Sequence, residues 1–177
     1  MKYMFASDVH GSAYYCRLML EKYKEEQAER LVLLGDLLYH GPRNDLPKEY
    51  APKEVIKMLN GMKNDIYAVR SNCEAEVDQM VLEFPVMADY CILAINGLTF
   101  YATHGHVYNE NNLPPFHEGD ILIHGHTHVL KAEQKEGYIL LNPGSVSIRK
   151  KEIRLHMLFW KTKHLRLKIL MEISSRK

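Results

Sequence analysis

Apolar residues along this chain follow two alternating rhythms through its first half. Short continuous runs, Tyr3–Ala6, Leu31–Leu34 and Ile66–Val69, read as strands buried on both faces. Between them, apolar positions recur at helical spacing. Ala13, Cys16, Leu20 and Tyr23 predict a helix over Ser12–Gln27, with Ser12 as its N-cap. A second helix is predicted from Pro52 through Leu59, with Gly61 as its stop. A short third helix follows Glu74 to about Leu82 and ends before Pro85.

The second half changes rhythm. Tyr90–Ile95 and Leu98–Thr103 are strand-like and joined by Asn96-Gly97, a strong two-residue hairpin signal. Ile121–His124, Val129–Glu133 and Tyr138–Leu141 follow as further strands. A βαβαβ beginning followed by mostly β structure predicts an α/β fold, with two facing mixed sheets flanked by helices. No internal repeat or linker interrupts the chain, so residues 1–177 are expected to form one domain.

Polar clusters sit directly after the apolar runs. They are Asp8-Val9-His10-Gly11, Gly35-Asp36, Asn72-Cys73-Glu74, Thr103-His104-Gly105-His106 and Gly125-His126-Thr127-His128. Their oxygen and imidazole donors suit divalent transition metals. In α/β folds the carboxyl ends of strands are where loops converge and ligands bind, so donors distant in sequence can meet there. A lone Asp or His after a strand is more often a turn or surface residue. It is the recurrence at five strand ends that points to a metal centre.

Composition narrows the class. The chain has 177 residues, with a hydrophobic fraction of 46% and a charged fraction of 25%, as in an ordinary globular protein. No apolar run approaches the ~20 residues of a membrane span, so no membrane partner is expected. Cys16, Cys73 and Cys91 are odd in number and unpaired in spacing, which argues against a disulfide framework and for the cytoplasm. The formal charge of +1 hides a basic tail, since residues 149–177 carry ten Lys/Arg and two Asp/Glu. A solvated terminal segment accounts for that tail more simply than a nucleic-acid surface.

With these residues in view, the chain resembles the calcineurin-like metallophosphoesterase superfamily, and most closely its small bacterial YfcE-type phosphodiesterases. The likeness rests on Met4–Ser12, Gly35-Asp36, His40–Asn44, Asn72–Glu74, Glu76–Met80, Gly105-His106, Gly125–His128 and Asn142–Ser147, and it spans roughly residues 2–148. The resemblance implies a sandwich of two β-sheets flanked by helices. It implies one metal held by Asp8, His10, Asp36 and His128, and a second held by Asp36, Asn72, His104 and His126. Manganese is the expected ion, with zinc, iron or nickel suited to the same donors. The implied activity is hydrolysis of small phosphodiesters by a water activated between the two ions. Self-association is plausible for the family.

Other roles are expected around that centre. Cys73 stands where relatives commonly carry a histidine that protonates the leaving group. Its thiol could donate, could ionise beside two cations, or could pack inertly. Glu74 could orient Cys73 or His106, or be a solvated acid. His106 is a candidate for contact with the phosphoryl group, and Asn72 belongs to both the ligand set and the catalytic group. Arg43 and Asn44 are the expected substrate-binding residues, Arg43 because its fork suits phosphate oxygens. Asn142 to Ser145 are expected to support the site through the backbone. Ser71 replaces a glycine before Asn72 and would be strained at positive φ. His117, His124, His156 and His164 receive no role. The tail, with apolar runs Leu155–Trp160 and Leu165–Ile173, reads as a divergent final hairpin or as the product of a frame change near residue 149. The alternative function is a scaffold of the same fold that binds a protein partner, as the retromer scaffold subunit does. A scaffold is expected to have lost metal ligands, and this chain keeps the set.

Overall fold

A computed structural model describes residues 1–148 in full and the backbone of 155–161 and 164–170. Two five-stranded mixed sheets face each other. The first has the order β10-β9-β1-β2-β3, the second β4-β5-β6-β8-β7. In chain order these elements are β1 (Lys2–Ala6), α1 (Ala13–Glu25), β2 (Arg30–Leu33), α2 (Pro52–Asn60), β3 (Ile66–Ala68), α3 (Glu76–Val81), β4 (Tyr90–Ile95), β5 (Leu98–Thr103), β6 (Ile121–Ile123), β7 (Leu130–Gln134), β8 (Ile139–Pro143), β9 (Leu155–Lys161) and β10 (His164–Leu170).

The continuous apolar runs of the first sheet are explained by two covered faces. Met4, Ala6, Leu31 and Leu33 turn toward α1 and α2 and pack with Met19, Leu20, Val55 and Leu59. Phe5, Val32 and Leu34 turn the other way and meet Phe100, Ala102, Ile121 and Ile123 of the second sheet. Phe5 stacks on Phe100 at 5.6 Å between ring centroids, pinning one sheet to the other. Burial of each such ring stabilises by about 1.5–3 kcal/mol. The outer face of the second sheet carries Tyr101, Leu122, Tyr138 and Leu140, against which Tyr108 and Phe116 of the β5–β6 connection pack.

Most element ends fall within a residue or two of expectation. Ser12 caps α1 and accepts from Tyr15 N, but the helix stops at Glu25, two residues before the predicted Gln27. Gln27 itself has φ 52°, a turn conformation that releases the chain toward β2. Gly61 does end α2, yet with φ −62° rather than in the left-handed conformation. The chain then enters a 3₁₀ turn, Lys63–Asp65, too short to leave a periodic signature. Asn96 (φ 53°) and Gly97 (φ 79°) make the predicted tight hairpin turn. In the tail, β9 pairs antiparallel with β10 and with the free edge of β1, from Lys2↔Lys161 to Phe5↔Leu158. That is the arrangement of a final hairpin. Residues 171–173 of the second apolar run, and the side chains of His156 and His164, lie outside the described residues.

Candidate metal centre

Strands β1, β2 and β3 are parallel, as are β5 and β6, and the loops leaving their carboxyl ends converge. The first two loops are laced together: Asp8 N donates to Gly35 O at 3.1 Å, His10 N to Asp36 O at 2.8 Å and Gly11 N to Leu37 O at 2.8 Å. Gly125 N donates to His104 O at 2.9 Å and joins the two loops of the second sheet. The sheets meet where Gly125 passes Ser7 and Asp8. A Cβ at residue 125 would lie 1.9 Å from Ser7 Oγ and 2.7 Å from Asp8 Oδ2, so only glycine fits.

Five of the seven expected ligands adopt the left-handed conformation: Asp8 (φ 61°), His10 (49°), Asp36 (54°), His126 (63°) and His128 (59°). Such backbones cost of order 1–3 kcal/mol each and persist only when their surroundings enforce them. The enforcement is visible. Ser145 Oγ and Ser147 Oγ both donate to Asp8 O, each at 2.9 Å. Glu74 is buried and accepts three backbone N–H groups, from Leu37 (2.7 Å), Ser71 (2.7 Å) and Asp36 (3.2 Å). This corrects the expectation that Glu74 orients Cys73 or His106 or is solvated, because its carboxylate is spent on fixing two loops. Ser71 is not strained either. It avoids positive φ, and its hydroxyl accepts from Cys73 N at 2.8 Å. Asn142 lies within β8 rather than after it, and supports the last loop through Gly125 O (2.8 Å) and Thr127 Oγ1 (3.1 Å).

Asp8, His10, Asp36 and His128 are all buried, and each offers a donor atom within 4.8 Å of the others. The hydrogen bonds behind the rings fix where their lone pairs point. His10 Nδ1 lies 2.8 Å from Tyr39 O and His104 Nδ1 lies 2.6 Å from Leu34 O. Carbonyl oxygens only accept, so in the neutral rings both Nδ1 atoms carry the hydrogen and both Nε2 atoms present lone pairs. His10 Nε2 faces His128 Nε2 at 3.2 Å, Asp36 Oδ2 at 3.5 Å and Asp8 Oδ1 at 3.6 Å. His104 Nε2 faces His126 Nδ1 at 3.1 Å and Asp36 Oδ2 at 3.7 Å. Among the described residues, Asp36 Oδ1 and His128 Nδ1 are buried without a hydrogen-bond partner. Lone pairs and carboxylate oxygens crowded this way repel unless positive charge lies among them, and this donor set fits divalent metal.

Electrostatics agree. Burial pushes the Asp8 carboxyl up, but hydrogen bonds from His10 and His128 and the charge of His104 outweigh it and hold the group well below the usual range. For His10, burial favours the neutral ring, and Asp8, Asp36 and the Tyr39 carbonyl reverse this and raise its pKa. His126 and His106 are lowered, first by burial and then by His104.

A cleft of about 420 Å³ opens over this centre, lined by His10, Asp36, His126 and His128 and, opposite, by Gly41, Pro42, Arg43, Asn44, Asn72 and Cys73. Asn72 is exposed, and its amide donates to Cys73 Sγ at 3.2 Å. Burial, then the charge of Asp36, pushes the Cys73 thiol up to about 12. Asn44 donates to His40 O at 2.8 Å, which shapes the loop carrying Arg43. His106 lies beside His104, at 5.5 Å between centroids, but outside the residues that line the cleft.

The profile of the calcineurin-like phosphoesterase superfamily domain matches residues 1–164. Phosphodiesterase YfcE of Escherichia coli K12 is 47% identical over 150 residues, covering 85% of this chain and 82% of that protein. Phosphodiesterase MJ0936 of Methanocaldococcus jannaschii is 25% identical over 152 residues, covering 81% of this chain and 83% of that protein. The solved structure of the phosphoesterase Yfce from E. coli superposes with a TM-score of 0.93 at 42% identity, over 96% of this chain and 93% of that one. With five loops delivering such donors to one edge of a two-sheet sandwich, the chain belongs to the calcineurin-like phosphoesterase superfamily.

Proposed function

We propose that this protein is a metal-dependent phosphodiesterase acting on small phosphodiesters, and that residues 1–177 form its single catalytic domain. The observation that carries the reading is the buried group Asp8, His10, Asp36 and His128, with its donor atoms turned on one another. That group holds one divalent ion. Asp36 is shared with a second position completed by Asn72, His104 and His126. Manganese is the favoured ion, with zinc, iron or nickel as alternatives for these donors. When bound, the ions supply an activated water and offset the charge that gathers on the phosphoryl oxygens.

The chain's own residues divide the remaining work. Arg43 and the second amide hydrogen of Asn44 bind phosphoryl oxygens across the cleft. Cys73, beside Asn72, hands a proton to the departing oxygen. His106 supports the phosphoryl group from the margin, through its neighbourhood to His104. Among the described residues no helix is long and apolar enough to cross a membrane, and all three cysteines are free. A cytoplasmic location accords with these, and self-association is an expectation carried by the family.

Metal-stripped protein assayed on an aryl phosphodiester, with manganese, zinc, nickel or magnesium added back singly, tests the reading. Activity should return with metal and be at least about 10³-fold lower in Asp36→Asn, a change of roughly 4 kcal/mol in barrier. No turnover with any ion from folded protein would favour the partner-binding scaffold instead.

A further inference from the structure

His124 follows β6 at the root of the loop that carries His126, and its ring packs against the loop that carries His104. Its side chain is 1% exposed. A Cβ on Gly105 would fall 2.6 Å from His124 Nδ1, so the glycine after His104 lies flat against this ring. Nδ1 is 3.1 Å from Gly125 O, which can only accept, and 3.4 Å from Asn142 Nδ2, whose two hydrogens go to Gly125 O and Thr127 Oγ1, so Nδ1 carries the hydrogen. The same carbonyl accepts from Asn142 Nδ2 at 2.8 Å, while Gly125 N reaches His104 O at 2.9 Å. His124 thus touches the residue after one expected ligand and the residue before another.

Its other nitrogen, Nε2, is buried with no hydrogen-bond partner among the described residues. An apolar ring would fill this space without that unmet group, whose burial is costly. What an apolar ring lacks is the Nδ1–H held against Gly125 O. None of the hydrogen bonds that fix Asp8, His10 and Asp36 involves His124. Its direct contacts are therefore with the loops of His104 and His126, and it reaches Asp8 only at one remove, through the packing of Gly125 and the bond from His126 N to Asp8 Oδ2 at 3.1 Å.

We propose that His124 is a positioning residue: by gripping Gly125 O and spacing Gly105, it sets the separation of the His104 and His126 rings and so the affinity of the second metal position. The inference rests on the two-ion reading above. Metal-free protein titrated with manganese(II), followed by metal analysis and by electron paramagnetic resonance, separates the two. His124→Phe keeps the ring and loses the donor, whereas His124→Asn keeps an amide N–H near the place of Nδ1.

Wild-type protein should take up two ions and show an exchange-coupled signal. His124→Phe should bind the second ion roughly 10–100-fold more weakly, change the affinity of the first far less, and show an isolated-ion signal. His124→Asn should restore the coupled signal. Two ions held at wild-type affinity by His124→Phe would overturn the proposal. So would equal weakening of both ions, or failure of both variants to fold, since a merely structural histidine gives those results. A wild-type protein that takes up fewer than two ions would overturn the two-ion reading itself.

Discussion

The two sides of the cleft over the centre are built differently. Asp8, His10, Asp36 and His128 are buried, laced by backbone hydrogen bonds and braced by Ser145, Ser147 and Glu74. Across the cleft, Asn72 and Arg43 are exposed, and Cys73 and Asn44 are partly so. The first half is rigid because its strained backbones are over-determined, which suits an ion that stays. The second half faces solvent on loops, which suits a site where substrates enter and leave.

Breaking the junction of the two sheets beneath the closed half should have the largest effect. Gly125→Ala drives a methyl into Ser7 Oγ and Asp8 Oδ2. Overpacking of this kind costs about 1–3 kcal/mol. Because the displaced atoms adjoin the proposed metal position, activity should fall about 10²-fold or more even in variant that remains folded, as read by matched melting and turnover assays.

A change confined to the open half should be smaller and depend on substrate. If Cys73 protonates the leaving oxygen, Cys73→Ala should slow alkyl phosphodiesters by about 10²-fold. It should barely affect p-nitrophenyl esters, whose leaving group needs no proton. Equal effects on both would remove the thiol from the acid role.

The smallest effect should appear in the closed half of metal-free protein, as a pH dependence of stability. The depressed Asp8 pKa contributes stability above the unfolded value of ~3.9 that is lost as pH falls. The raised His10 pKa contributes stability present below ~6.5 that is lost as pH rises through its folded value. Melting temperature in chelator should therefore peak between these limits. Manganese should move the peak upward, because metal requires His10 deprotonated. An unmoved peak would mean that His10 does not bind the ion.

The expected ligands could be placed from the sequence because each follows an apolar run, and β1, β2, β3, β5 and β6 end within a residue of where those runs stop. The Asn96-Gly97 turn was legible because its chemistry is local. Glu74 was not, although it belongs to the motif, because an acid that accepts backbone N–H groups from residues 36, 37 and 71 looks like any surface acid in one dimension. His124 carries no local sign of its place for a related reason. Its significance lies in contacts with Gly105 and Gly125, and a strand end gives no sign of them. The serines at 145 and 147 reach Asp8 across most of the chain, a closure that no local pattern encodes.

The left-handed backbone at Asp8, His10, Asp36, His126 and His128 also limits how this centre can be altered. Asp, Asn and His are the non-glycine residues that tolerate this conformation best, and all three can ligate metal. Branched or bulky replacements would be opposed by the main chain before their chemistry mattered. Efforts to retune the site toward another ion by exchanging ligands have, at these five positions, an alphabet of about three useful letters.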